Sequence, residues 1–291
     1  MLWTTGTRTV VRIVTDSTGD IPAEIAGQLG IVVVPLHIQI GSEAYRDGMG
    51  LAADRVYREL VQGQRVPKTS APSPGDFVKV YRELAEETDS IISIHLSPGY
   101  SGTFEAASLA AGYVKDKCRV EVVDSNTVSV GLGMIVVAAA RAAREGKDMD
   151  EILDIIRDVV SRTRLFGKVD DFVYLLRGKR FRLSGGMVFL GRMSMALGVK
   201  MLGEVYGGGR LRSPSLVIGR RMAVADLRRR AGSFPAVKEV AIAYSTAPGE
   251  AEMLARSVKP LVGGEHIMVT RLGCVSSTYV GPGTLVMALV Y

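Results

Sequence analysis

Along the first 160 residues, apolar positions follow two spacings in turn. "TVVRIVTDSTGD" opens with a β-branched run and stops in a polar loop at Asp16-Ser17-Thr18, as a strand does at a turn. "IVVVPLHIQI" is a second extended run, which Pro35 bends or confines to a sheet edge. "LAADRVYRELVQGQ" has helical spacing at Leu51, Val56 and Leu60. "FVKVYRELAEE" is helical too, with Ser73 as a cap and Pro74 at the first helical position. "SIISIHLS" reads as a strand and "FEAASLAAGYV" as a helix with Phe104, Ala107, Ala111 and Val114 on one face. "CRVEVVDS" is another strand, and "VGLGMIVVAAARAAREG" a long, largely buried helix. Strand, loop and helix recur four times, which predicts α/β architecture with a parallel sheet and helices on both faces.

Beyond about residue 160 the pattern changes. "KVDDFVYLLRGKRF", "VKMLGEVYGGGRLRSPSLVIG", "VKEVAIAYS", "EHIMVTRLG" and "TLVMALVY" are strand-like, with helical stretches at "SGGMVFLGRMSMAL" and "RRMAVADLRRRAG". The triple glycine between two extended runs is a hairpin signal, so this half is expected to be α+β with antiparallel pairs. The shift sets a domain boundary at 163/164, dividing the chain into an α/β domain, 1–163, and an α+β domain, 164–291. The uncharged run Leu272 to Tyr291 is 20 residues long, enough to span a membrane as a helix. Gly281-Pro282-Gly283 interrupts it, and two strands joined by a loop are expected instead.

The 291 residues are 47% hydrophobic and 23% charged, a globular composition with ample core material. With 6% aromatics, that core must rest on aliphatic side chains and Met. Two cysteines far apart suit a reducing compartment and, with no basic-then-apolar leader at the start, a cytoplasmic location. The net charge of +6 is unevenly spread: residues 1–160 carry −6 and residues 161–230 carry +12. A basic segment on an acidic body suggests a face that docks something acidic. Arginines without interleaved aromatics argue against nucleic acid as that partner.

The residue chemistry excludes several classes. His37, His95 and His266 stand without ligand partners at short spacing, so no metal or other cofactor is expected. "GYSGT" misses the nucleophile-elbow pattern because Thr103 replaces its last glycine, and no acid partner is evident for His95 and Ser97. "GLG" at Gly131–Gly133 lacks the third glycine of a dinucleotide fingerprint, Val136 standing there. What stands out is a set of hydroxyl-rich loops at the carboxyl ends of the expected strands: Asp16-Ser17-Thr18, Lys68-Thr69-Ser70, Ser97 to Thr103, and Asp124-Ser125. Ligands of open α/β sheets bind at such ends. Ser101 occupies an N-cap position before "FEAA", where its hydroxyl and nearby N–H groups can meet an anion. The expected ligand is an anion held by neutral donors.

"VTDSTGDIP", "KTSAPSPGDF", "ISIHLSPGYSGTFEAA", "VVDSNTVSVGLG" and "YVGPGTL", in this order, resemble the DegV family over nearly the whole chain, from about Arg12 onward. The resemblance implies a two-domain, non-catalytic protein that holds a long-chain fatty acid such as palmitate between its domains. It also implies presentation of the carboxylate to a separate ATP-dependent kinase subunit, with at most transient membrane contact. By the same resemblance Thr69 and Ser101 contact the carboxylate, with Ser70, Ser97 and Tyr279 beside them, and the first domain carries the head-group loops. Three departures stand out: Tyr279 where the family often has His, Pro98 where it often has a second Ser, and Gly178-Lys179-Arg180 for its Gly-Gly-Arg. Arg180, Arg182, Lys200 and Arg210 are candidates for docking the partner subunit. The alternative is an enzyme acting on a small acid or nucleotide in the same cleft.

Overall fold

A computed structural model describes residues 10–49, 52–62, 67–171, 174–175, 198–206, 210–264 and 267–291, with the backbone alone for residues 52–54 and 211. The first part contributes strands β1 (Arg12–Asp16), β2 (Val32–Val34), β3 (His37–Ile40), β4 (Glu43–Arg46), β5 (Lys68–Ser70), β6 (Ser90–His95) and β7 (Arg119–Asp124). Its helices are α1 (Ala23–Leu29), α2 (Ala52–Gln62), α3 (Pro74–Leu84), α4 (Thr103–Gly112), α5 (Val130–Arg144) and α6 (Met149–Arg162). Four of these strands form the expected parallel sheet, in the order β2-β1-β6-β7. The pleat sends Ile13, Ile92 and Ile94 toward α5 and α6, and Val14 and Ile91 toward α3 and α4, so helices cover both faces.

Local chemistry explains several boundaries. Ser73 and Asp76 form a reciprocal capping box that starts α3, with Pro74 in its first turn. Pro35 ends β2, and the chain resumes as β3 in a separate antiparallel sheet, β4-β3-β5, that the patterning did not anticipate. Helix α4 buries Ala106, Ala107 and Ala110, a stripe rotated from the expected one, with Phe104 and Ala111 only half-buried.

The remainder contributes β8 (Thr163–Val169), β9 (Val199–Tyr206), β10 (Arg210–Ile218), α7 (Arg220–Ala231), β11 (Glu239–Tyr244), α8 (Pro248–Val258), β12 (Ile267–Arg271), α9 (Cys274–Val280) and β13 (Leu285–Val290). They build a six-stranded sheet, β10-β9-β8-β13-β11-β12, antiparallel except for the β11–β12 pair. One face packs Phe166, Leu202, Ile242 and Met287 against α7 and α8. The other meets α5, which places Val130 and Met134 on this sheet and Leu132, Ile135 and Val136 on the parallel one. Sandwiched between two sheets, α5 buries twelve of its fifteen residues. The helical stretch expected at "SGGMVFLGRMSMAL" lies outside the described residues. "KVDDFVYLLRGKRF" is not one strand: β8 ends at Val169, and Tyr174 and Leu175 are helical.

The principal correction concerns "LGCVSSTYVGPG". Cys274–Val280 is a helix, α9, and only the segment beyond Gly283 is a strand. Val, Thr and Tyr favour extended backbone, but the start of α9 is met by two buried carboxylates from elsewhere. Asp20 accepts from the Gly273 N–H at 2.7 Å and Asp47 from the Cys274 N–H at 3.0 Å. These bonds satisfy donors that a helix start leaves open. At the far end Gly281 has φ 78°, and a Cβ there would fall 2.3 Å from the Tyr174 ring, so the turn into β13 requires glycine. No helix among the described residues is long and apolar enough to cross a membrane.

Candidate functional site

Between the two larger sheets lies a cavity with about 980 Å³ of space between atoms, its open mouth included. One wall is a cross-strand ladder. Leu165, Gly167 and Val169 of β8 stand opposite Val205, Gly203 and Met201 of β9, and all six line the cavity. The Gly167–Gly203 rung has no side chains, so the wall carries a trough between apolar rungs. A Cβ added at Gly167 would meet nothing within 4 Å. Leu36, Leu96, Leu272 and Val275 continue the apolar lining, and no charged residue belongs to it among the described residues.

The cavity opens against the carboxyl ends of β1 and β6, where the strand order of the parallel sheet reverses. That position is where open α/β sheets bind ligands. Hydroxyls gather there. Thr69 is held by strand pairing opposite Ile38, and its Oγ1 lies 2.5 Å from the hydroxyl of Tyr279 on α9. Ser70 and Ser101 line the same cavity. The N-cap of α4 is Gly102, not Ser101; Ser101 Oγ bonds Thr103 Oγ1 at 2.9 Å instead. Thr18, from the first of the hydroxyl-rich loops, lines the cavity too, as do Ser129 and Ser276, which sequence reasoning passed over as site residues. Behind the last two sits Asp20, fully enclosed. Burial pushes its carboxyl up to about 7, against the pull of Ser129, the Gly273 N–H and Ser276. Burial also raises Asp47, which accepts from the Cys274 N–H at the start of α9.

The chain matches the model of the DegV family, described as "Uncharacterised protein, DegV family", over residues 10–291. It is 34% identical over 286 residues to a DegV domain-containing protein of Deinococcus radiodurans, covering 96% of this chain and 98% of that one. This chain belongs to the DegV family. A DegV-family protein of Caldanaerobacter subterraneus is 32% identical over 275 residues, covering 94% and 95% of the two chains. Among solved structures, a DegV-family protein from Thermus thermophilus described for its fatty acid binding superposes with a TM-score of 0.84 at 30% identity, covering 96% of this chain and 99% of that one. DegV from Bacillus subtilis, described as a fatty acid binding protein, gives 0.81 at 26% identity, covering 97% and 99%.

In this DegV-family chain the remaining sequence candidates occupy other places. Ser97 is outside the cavity lining: its N–H donates to Thr127 O at 3.1 Å, and its side chain meets Asp124. His95 does have an acid partner, with Nδ1 2.9 Å from Asp16 Oδ2 and Nε2 2.7 Å from Ser93 Oγ. This serine–histidine–aspartate row is buried in the parallel sheet, where Ser93 also takes the Tyr81 hydroxyl at 2.8 Å. None of the three lines the cavity, so the row serves packing and not nucleophilic attack. The Gly131–Gly133 motif is steric as well: a Cβ on Gly133 would lie 2.4 Å from Gly19 O, so glycine lets α5 approach the Ser17–Gly19 turn. Of the docking candidates, Lys200 is tied to Asp170 at 2.7 Å and Arg210 is exposed, while Arg180 and Arg182 lie outside the described residues. No group of three or more potential metal ligands occurs among the described residues.

Proposed function

We propose that this chain binds a long-chain fatty acid, of the palmitate class, in the cavity between the sheets. Its carboxylate faces Thr69, Ser70, Ser101 and Tyr279, and its tail lies along the Gly167–Gly203 trough. The observation that carries this reading is an apolar slot ending in neutral hydroxyls with no charged lining residue among those described. Each methylene removed from water contributes about 0.8 kcal/mol, so about ten of them supply about 8 kcal/mol and the tail dominates affinity. The head group needs orientation more than charge. The Ser101–Thr103 pair holds two hydroxyl hydrogens and its mutual bond uses one, which leaves one for a ligand oxygen. The fatty-acid binding described for the Thermus and Bacillus relatives supports the same reading.

A carboxylate held by hydroxyls, without a neutralising cation, keeps its nucleophilicity. We therefore read the bound acid as cargo for a separate ATP-dependent kinase subunit, this chain performing no turnover itself. On this reading residues up to 163 supply most of the head-group contacts, Tyr279 joins them from the second part, and residues from 164 cover the tail and dock the partner. Arg210, exposed at the start of β10, suits that docking better than Lys200, whose ammonium Asp170 already holds. The test is native mass spectrometry of the purified chain followed by extraction and identification of what it carries. A stoichiometric fatty acid, lost in the Thr69→Ala, Ser101→Ala double variant, is the expected result. A nucleotide or a short polar acid in its place would favour an enzyme acting in the same cleft.

A further inference from the structure

On the face of the six-stranded sheet turned away from the cavity, one rung departs from its neighbours. Leu202, Lys168 and Leu285 stand side by side across β9, β8 and β13, and all three are fully buried. An ammonium between two leucines is costly to bury, and an apolar side chain would fill the place at lower free energy. Its charge is matched: Lys168 Nζ lies 2.7 Å from Asp170 Oδ1 and 2.8 Å from Glu250 Oε2, in the first turn of α8. Lys200 and Arg220 meet the other oxygens of these two acids at 2.7 and 2.9 Å, so two carboxylates stand among three cations. The remaining contact of Lys168 is not ionic. Its Nζ donates to the carbonyl of Gly283 at 2.6 Å.

That carbonyl belongs to the Gly281–Gly283 turn, which follows α9 and leads into β13. Both glycines have positive φ, 78° and 74°, and a Cβ on Gly283 would fall 2.5 Å from Asp170 Oδ2. The turn is therefore seated directly on the Lys168–Asp170 pair. Thr246 Oγ1 accepts from the Gly283 N–H at 2.9 Å, and Thr284 Oγ1 donates to Val280 O at 2.8 Å, which joins the turn to the last residue of α9. A helix of seven residues has little stability of its own, so its two ends decide where its side chains lie. Asp20 and Asp47 hold the first end, and Lys168 holds the turn at the other, beside Tyr279. We propose that Lys168 is a positioning residue of the ligand site: through the Gly281–Gly283 turn it keeps the Tyr279 hydroxyl at Thr69 without lining the cavity itself. This rests on the fatty-acid reading above and adds a residue on the far side of the sheet.

The test is a pair of double-variant cycles on the delipidated full-length chain, with affinity for hexadecanoate measured by displacement of a fluorescent fatty acid. Tyr279→Phe and Lys168→Met are each expected to weaken binding about 3- to 10-fold, the worth of one hydrogen bond. The two together should bind no more weakly than Tyr279→Phe alone, because both remove the same contact. Lys168→Met combined with Ser101→Ala should instead multiply the separate losses, since Ser101 reaches the site from the loop before α4. If Lys168→Met does not fold, the Lys168→Met, Glu250→Gln variant, which removes opposite charges together, takes its place in both cycles. The proposal is overturned if either single variant binds like the parent, or if the losses at Lys168 and Tyr279 multiply. Equal coupling of Lys168 to Ser101 and to Tyr279 also overturns it, because that marks a general loosening of the fold. A parent chain that does not bind hexadecanoate would overturn the fatty-acid reading, and this inference with it.

Discussion

Asp20 shows how one residue is set by groups distant in sequence. In "VTDSTGDIP" it reads as a turn aspartate, yet the fold encloses it with Ser129, Gly273 and Ser276 as partners. Burial is the largest influence and raises its carboxyl from 3.8 to about 7. The folded chain therefore keeps a proton that the unfolded chain releases near the ordinary carboxylate value. Stability from this group is fully present below that value, falls as pH rises toward about 7, and is level above it. The Asp20→Asn variant should accordingly gain on the parent in melting temperature as pH rises from about 4 to about 7. A gap that does not change across that range would contradict the assignment. Asp47, Tyr57 and Cys274 are coupled to Asp20, and burial moves all three upward as well.

At the scale of elements, the β8–β9 ladder shows how register creates a slot. Strand pairing puts Gly167 directly opposite Gly203, and the pleat turns that rung toward the cavity together with Leu165, Val169, Met201 and Val205. The Gly167→Val variant should fold, because the added side chain enters open space, but it should fill the trough. The expected result is an unshifted melting temperature with loss of copurifying fatty acid, checked by calorimetry and native mass spectrometry. Retention of a stoichiometric long-chain acid would place the tail elsewhere. The same scale holds the main misreading. Ser276, Tyr279 and Val280 look like part of an alternating strand in "CVSSTYV", but at spacings of three and four they share one face of α9. A helical reading of that heptad is the signal that brings Ser276 to the site together with Tyr279.

For the whole molecule, α5 is the joint. It packs Ile135 and Val136 on the parallel sheet and Val130 and Met134 on the six-stranded one, so one helix is shared by a core of each. Unfolding should therefore be a single cooperative transition despite the change in architecture near residue 163. Met134→Ala should lower that one transition by about 2–5 kcal/mol, the range for truncating a buried methionine. Two separate calorimetric peaks, with only one of them moved, would show that the halves unfold independently. The cavity depends on the same joint, since Leu96 and Ser101 reach it from the parallel-sheet side and the apolar ladder from the six-stranded sheet.

The strands of the parallel sheet, the capping of α3 and the hydroxyl loops with Thr18 and Ser101 were legible in the chain, because each is coded by neighbours within a few positions. Apolar period, cap residues and turn chemistry are local properties. The helix at Cys274–Val280, the separate sheet around β3 and the inclusion of Ser129 and Ser276 in the site were decided by tertiary structure. Each depends on partners more than 30 positions away: carboxylates at Asp20 and Asp47 for the start of α9, and Thr69 for the pairing of β3. A local pattern carries no record of such partners. An isolated serine reads as solvated until the fold places an aspartate behind it, and a valine-rich heptad reads as strand until its first N–H groups find acceptors.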